Sequence, residues 1–338
     1  MRFPVQVTIH PSQFPCAVQR ELLKSLRTRC VNHKFHYDSV KQVEKWIAVH
    51  KTYSPWHTDP NCKAIYHAAF RCIAALVRAG VIHVIGLGCG TGQKDLQLIK
   101  CLKTKAQQVF YTPCDSSVPM VLTARQAVLG VVPPQDSSPV VCDFAAATDL
   151  YMLLDEIEQA QLGRKLARHC DHAPTRLVTF FGMIPNFEPL PAMRRLASLV
   201  RPGDFLLLSA NLVPGPDLAA GMKKVLAQYD NVPTREWLMT FLLDLGVDRD
   251  DGVLRFEIER GQSRINRVVA KFRFRRNCTI RVSSETFKFA PGEGIRLFFS
   301  YRYTLEQLQE LLAQHRFTLA GHWLTRSGEE AVLCARRT

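Results

Sequence analysis

Apolar positions along the chain switch between two periods, and the switches mark its elements. Over 19–27 and 39–49, Leu22, Leu23 and Leu26, then Val40, Val43, Trp46 and Ile47, recur at helical spacing. Tyr53-Ser54-Pro55-Trp56 breaks that pattern. Asp59 can cap a helix over 60–79, with Pro60 at its first position and Gly80 at its end. From there strands and helices alternate. Strands are expected at 81–87, 108–114, 140–142, 176–181 and 205–210. Helices are expected at 92–102, 118–129, 150–163 and 191–200. Such alternation predicts a parallel sheet with helices on both faces, an α/β architecture.

The alternation stops after 215. Helices at 217–230 and 234–245 precede strands at 254–259, 263–276 and 279–284, which read together as an α+β insertion. A strand at 298–303, a helix from Thr304 to His315 and a hairpin around Ser327-Gly328 close the chain. The expected division is a helical segment over 1–60, a core over 61–215, an inserted lobe over 216–297 and a strand-helix-hairpin over 298–338 that completes the core.

The densest chemical signal is Val84-Ile85-Gly86-Leu87-Gly88-Cys89-Gly90-Thr91-Gly92, between a strand and a helix. Glycines there let the backbone turn sharply and approach a nucleotide-like ligand, where a Cβ would collide. Asp115 stands at the end of the second strand, where a carboxylate can accept both hydroxyls of a ribose. At the end of the third strand, Cys142-Asp143-Phe144 offers a carboxylate for an adenine amino group and a ring to cover the base. The dinucleotide fingerprint is incomplete, and a phosphate loop ending in Gly-Lys-Ser/Thr is absent. A compact Gly-x-Gly-x-Gly turn with acids after strands two and three is the arrangement of methyltransferases.

Composition narrows the picture. The net charge of +14 raises the question of nucleic acid. The charges are spread, however. Their densest stretch, 264–281, alternates Val268, Ala270, Phe272 and Phe274 with Arg267, Val269, Lys271, Arg273 and Arg275, which reads as a strand with one apolar and one solvated basic face. No apolar run reaches the roughly 18 residues of a membrane span, and no signal-peptide centre is apparent, so a soluble cytoplasmic protein is expected. The 11 cysteines include no C-x-x-C pair, which points to reduced thiols and no metal site. His33 and His36 lack a completing ligand and are expected on a basic surface.

Several separate motifs resemble the histidine-specific methyltransferase family. They are Gly86–Lys94, Pro113-Cys114-Asp115, Cys142-Asp143-Phe144, Phe180–Phe187, Arg201-Pro202-Gly203-Asp204, Tyr229-Asp230-Asn231, and Phe289-Ala290-Pro291-Gly292-Glu293 leading to Ser300. The resemblance runs from about Tyr37 to the C-terminus. Members of that family trimethylate the α-amino group of histidine, and fungal relatives methylate a prenylated tryptophan. The resemblance implies a Rossmann-like class I methyltransferase sheet, S-adenosylmethionine as cofactor, a small-molecule amine or amino-acid acceptor, and a substrate-binding role for the inserted lobe and the N-terminal segment.

By that resemblance Gly88, Gly90, Lys94, Asp115, Asp143, Phe144 and Gly182 serve the cofactor. Asn186 holds the acceptor's amine, Tyr37 and Tyr229 its carboxylate, and Tyr53 faces the acceptor. Asn186 and Tyr229 are thus the expected catalytic pair. Two departures stand out. The family's imidazole-binding strand has a Glu two residues before the Ser matching Ser300, and here that position is Phe298. A family Met matches Ala270. Both changes suit a larger or more apolar side chain, such as one of indole-like shape. A third departure is Gly86, where such enzymes mostly carry an acid, so other groups, Lys94 among them, are expected at the cofactor's methionine end. The expected activity is N-methylation of an amino acid or its derivative, in secondary metabolism, by a monomer without membrane or nucleic-acid partners. The alternatives are an RNA methyltransferase and a non-catalytic protein that binds the cofactor.

Overall fold

A computed structural model describes residues 4–77, 80–104, 108–163, 173–261 and 263–338. Thirteen strands occur among them: β1 (Thr8–Ile9), β2 (Val81–Leu87), β3 (Gln108–Asp115), β4 (Val140–Val141), β5 (Thr175–Phe181), β6 (Phe205–Asn211), β7 (Gly252–Arg260), β8 (Asn266–Phe274), β9 (Cys278–Val282), β10 (Glu285–Phe289), β11 (Gly294–Tyr301), β12 (Phe317–Leu324) and β13 (Glu330–Arg337). Eight form the central sheet in the order β1-β4-β3-β2-β5-β6-β13-β12. Every neighbouring pair from β1 to β6 is parallel, whereas β13 runs antiparallel to both β6 and β12. This is the expected Rossmann-like α/β sheet of the class I methyltransferases. Its strand order reverses at β2, so the C-terminal ends of β2 and β5 open the crevice where such sheets bind ligands.

The inner strands read as near-continuous apolar runs because both faces are covered. Ile85, Val178, Leu206 and Leu208 pack against the helices Leu150–Gly163 and Pro189–Leu199. Their neighbours Val84, Leu177 and Leu207 point the other way, onto Pro60–Leu76 and Gln93–Leu102. The first of these helices is capped as expected, the Asp59 carboxylate accepting from the Asn61 N–H at 2.8 Å. Its expected end at 78–79 lies outside the described residues.

A second sheet, β11-β8-β7, is fully antiparallel and carries the β9–β10 hairpin alongside. It packs on the helix Val232–Asp244 through Trp237, Phe241, Phe272 and Leu297. Leu26, Val31 and Phe35 join the same cluster, which ties the N-terminal segment to this sheet.

Four readings of the sequence change. The strand expected at 298–303 is β11, and it pairs with β8 rather than with the central sheet. Its alternation was legible but its partner was not, because pairing depends on residues far along the chain. The N-terminal stretch contributes β1 to the central sheet, beside β4. A strand, β10, occupies residues left unassigned. The basic face of β8 is ion-paired and is solvated only towards its far end, at Arg273 and Arg275. Arg267 is buried between Glu188 at 3.0 Å and Glu259 at 3.3 Å, Lys271 lies 3.5 Å from Glu257, and Arg273 lies 3.3 Å from Glu257. The neighbouring strand β7 supplies two of these three acids. No helix among the described residues is long and apolar enough to cross a membrane, and the ten described cysteines are free.

Candidate functional site

One cavity of about 360 Å³ opens at the C-terminal ends of β2, β3 and β5 and runs to β11. Every expected site residue lines it: Tyr37, Tyr53, Gly88, Gly90, Lys94, Asp115, Asp143, Phe144, Gly182, Asn186, Tyr229, Phe298 and Ser300.

The loop after β2 forms the cavity floor. Gly88 has φ +61°, and a Cβ there would stand 2.4 Å from Met183 Sδ. Asp115, the last residue of β3, accepts from the Gly90 N–H at 3.2 Å and the Ser117 N–H at 3.1 Å. Burial pushes its carboxyl up to about 6, and those N–H donors oppose the rise. Asp143 is buried, accepting from the Ala145 N–H at 2.9 Å. Lys34 Nζ stands 3.5 Å from its other oxygen. Phe144 packs beside it against Phe180 and Phe187.

The position of Gly86 has a spatial explanation. A Cβ there would fall 2.3 Å from Asp95 Oδ2 and 3.3 Å from the Tyr111 hydroxyl. The Asp95 carboxylate, carried by the helix Gln93–Leu102, thus fills the space that a side chain at position 86 would need. Asp95 accepts from Tyr111 at 2.8 Å and from Thr179 at 2.8 Å, and burial pushes it up to about 6. Lys94 lines the same cavity. Its ammonium donates to the Tyr66 hydroxyl at 2.6 Å and stands 3.9 Å from Glu330. The Tyr66 hydroxyl also bonds Ser209 Oγ at 2.7 Å, and that oxygen accepts from the Gly182 N–H at 2.9 Å.

The far end of the cavity belongs to the second sheet. Asn186 ends the short turn Ile184–Asn186 that follows β5. Tyr229 ends the helix Leu218–Tyr229, and its hydroxyl meets Ser300 Oγ at 2.9 Å. Phe298 packs against His33 at 5.1 Å, Trp237 at 5.9 Å and Tyr229 at 6.1 Å between ring centres. Phe298 and Ala270 are direct cross-strand partners. The two side-chain departures are therefore one exchange on one sheet face, with a ring gained opposite a methyl. Tyr37 lies between Trp46 and Trp237, its phenol pushed up by burial and by the charge of Asp115. Tyr53 is 44% exposed, on the cavity rim.

Sequence reasoning missed several lining residues. His33 and His36 are not on a basic surface. The turn His33–His36 is wedged against β11, where His36 Nε2 bonds the Leu297 carbonyl at 2.7 Å. Burial pushes His36 down to about 4, so it is neutral. Trp46, Trp237 and Arg302 also line the cavity. Arg302 had a signal: Phe298, Ser300 and Arg302 share an alternation, so they share a face.

A glycine-rich loop, an acceptor carboxylate at the end of β3 and a second one beside an aromatic ring fit a nucleoside with a charged tail. With the sheet topology, this defines an S-adenosylmethionine-dependent methyltransferase. The chain belongs to the family of histidine-specific, S-adenosylmethionine-dependent methyltransferases, which it matches over residues 18–337. No curated protein matches it in sequence. Among solved structures, it is similar to a methyltransferase of Methanosarcina mazei at 14% identity and TM-score 0.40, over 78% of this chain and 96% of that one. It is also similar to the 1,6-didemethyltoxoflavin-N1-methyltransferase of Burkholderia thailandensis, at 14% identity and TM-score 0.41, over 87% and 90%. The CcbJ methyltransferase of Streptomyces caelestis is similar at 13% identity and TM-score 0.39, over 81% and 89%. None of these likenesses bears on the acceptor.

Proposed function

We propose that this protein methylates the amine of an amino acid, or of a small molecule derived from one, whose side chain is larger or more apolar than imidazole. One observation carries the reading. Asn186 and Tyr229 line the same cavity as the loop after β2, while the sheet face beneath them carries Phe298 over Ala270.

S-adenosylmethionine supplies an electrophilic methyl group on a sulfonium sulfur, and the protein's task is orientation. The acceptor amine attacks in line and must be neutral to do so. Asn186 accepts one amine N–H through its side-chain oxygen and thereby aims the lone pair. Tyr229 and Tyr37 fix the carboxylate; the upward shift of the Tyr37 phenol keeps it a donor. The amine proton leaves to water, so no dedicated base is required. Asp115 suits the ribose hydroxyls, and Asp143 with Phe144 suits the adenine. The basic strand gives little support to an RNA acceptor, since its charges are paired with Glu188, Glu257 and Glu259.

The test is methylation of a panel of free amino acids and derivatives, including histidine and tryptophan, with labelled donor and mass-spectrometric readout. Methyl transfer to an aromatic amino acid in preference to histidine is expected. Efficient trimethylation of histidine would refute the reading of Phe298. Donor binding without any turnover would favour a non-catalytic role.

A further inference from the structure

We infer that Arg302 is the counter-charge for an anionic group of the acceptor, a carboxylate, which it receives together with Tyr229 and Ser300. The inference rests on reading the Tyr229 end of the cavity as the acceptor end.

Three arginines are buried among the described residues: Arg176, Arg267 and Arg302. Two have carboxylate partners. Arg176 meets Asp155 at 2.7 Å and Glu158 at 2.9 Å, and Arg267 meets Glu188 and Glu259. Arg302, 6% exposed, has no carboxylate in ion-pair range among the described residues. Its Nε and Nη2 donate to the Tyr229 hydroxyl at 3.1 and 2.9 Å, and its Nη1 donates to the Leu212 carbonyl at 3.3 Å. Glu329 feels the charge of Arg302 only at longer range, without an ion pair. That carboxylate is held by Lys224 at 2.9 Å and Gln228 at 2.8 Å. A buried cation bonded only to neutral oxygens is costly, and an arriving anion removes that cost.

The direction of the hydrogen bonds points the same way. A phenol oxygen has two lone pairs and one hydrogen. Arg302 fills both lone pairs of Tyr229, so the Tyr229 hydrogen points onward, to Ser300 Oγ at 2.9 Å. Ser300 therefore accepts from Tyr229 and has its own hydrogen left to donate. Among the described residues, no acceptor within hydrogen-bond distance takes it, and Ser300 lines the cavity. The guanidinium thus polarises a chain of two hydroxyls whose one free hydrogen, on Ser300 or turned from Tyr229, is offered to the cavity. Such an end, with a guanidinium behind it, favours an acceptor, best an anion. Arg302 acts partly through Tyr229 and is in that sense a positioning residue.

The test is calorimetric titration of the full chain saturated with S-adenosylhomocysteine. The probes are matched pairs, L-tryptophan with L-tryptophanamide and L-histidine with L-histidinamide. In the wild type, the carboxylate member of at least one pair should bind about tenfold or more tightly than its amide. In Arg302→Met that ratio should fall close to one, with S-adenosylhomocysteine affinity unchanged, and Arg302→Lys should restore part of it. A fold defect would weaken both members alike and leave the ratio standing. A wild-type ratio near one, a ratio retained in Arg302→Met, or no binding of any carboxylate would overturn the inference. Carboxylates that bind with the expected ratio yet gain no methyl group would overturn the acceptor reading and leave the anion site intact.

Discussion

Asp115 should make cofactor affinity depend on pH in a way that one substitution abolishes. Burial pushes its carboxyl up to about 6 in the free protein. Ribose hydroxyls are donors, so they bind the ionised form. Binding therefore pulls a proton off Asp115, and affinity must fall as pH drops through the free-state value. Above pH 7 the affinity for S-adenosylhomocysteine should be flat. At pH 5, one unit below the midpoint, it should be down about tenfold, since one pKa unit is about 1.4 kcal/mol. Asp115→Asn keeps an acceptor for one hydroxyl but loses the charge. At pH 7.5 it should cost about 1.5–3 kcal/mol, or roughly 10- to 150-fold in Kd, the worth of a hydrogen bond to a charged group. Its affinity should then be level from pH 7.5 to 5. Calorimetric titration across this range checks both statements. Asp95, also pushed up to about 6, is the control. Asp95→Asn should leave the slope in place, because the Asp95 oxygens already accept from Tyr111 and Thr179. A slope that survives Asp115→Asn would refute the assignment of Asp115 to the ribose.

Gly86→Ala places a methyl 2.3 Å from Asp95 Oδ2 and should cost about 3–5 kcal/mol in urea unfolding, from overpacking and broken bonds to a buried carboxylate. In Gly86→Ala/Asp95→Ser the cost should be well below the sum of the singles, and a Gly86→Ala cost under about 1 kcal/mol would refute the close packing of Asp95 on Gly86. Asn186→Ala should lower kcat by about 100-fold or more in steady-state assays, because a misaimed lone pair loses its near-attack geometry. Phe298→Glu with Ala270→Met should raise kcat/KM for histidine relative to tryptophan by at least about tenfold. An unchanged ratio would separate this strand from specificity.

Much of the fold was legible because its signals are local. Val84 and Ile85, or Leu206 and Leu207, send alternate side chains to opposite faces of one sheet, and that alternation needs no knowledge of distant residues. The Gly88–Gly92 turn, Asp115 and Cys142-Asp143-Phe144 were legible for the same reason: a strand end followed by a turn fixes where a side chain emerges. What failed to read were partners. The basic residues of β8 gave the same pattern whether they met water or Glu257 and Glu259. His33 and His36, two polar residues in a short turn, carried no mark of being wedged against β11. Gly86 looked like a missing acid until the helix that follows the loop put Asp95 into its space.

The chain's own order of residues determined a parallel α/β sheet, a glycine-lined loop at its opening and the identity of most groups around the cavity. Tertiary structure alone decided how those groups are charged and bonded. It set Phe298 directly across from Ala270, a pair separated by the β8–β11 connection. It brought Tyr66 to Glu330 and Arg302 to Tyr229, across 264 and 73 residues. The reason is physical. Periodicity is a property of neighbours along the backbone, whereas burial, ion pairing and the direction of a hydrogen bond belong to whatever the folded chain brings within a few ångströms.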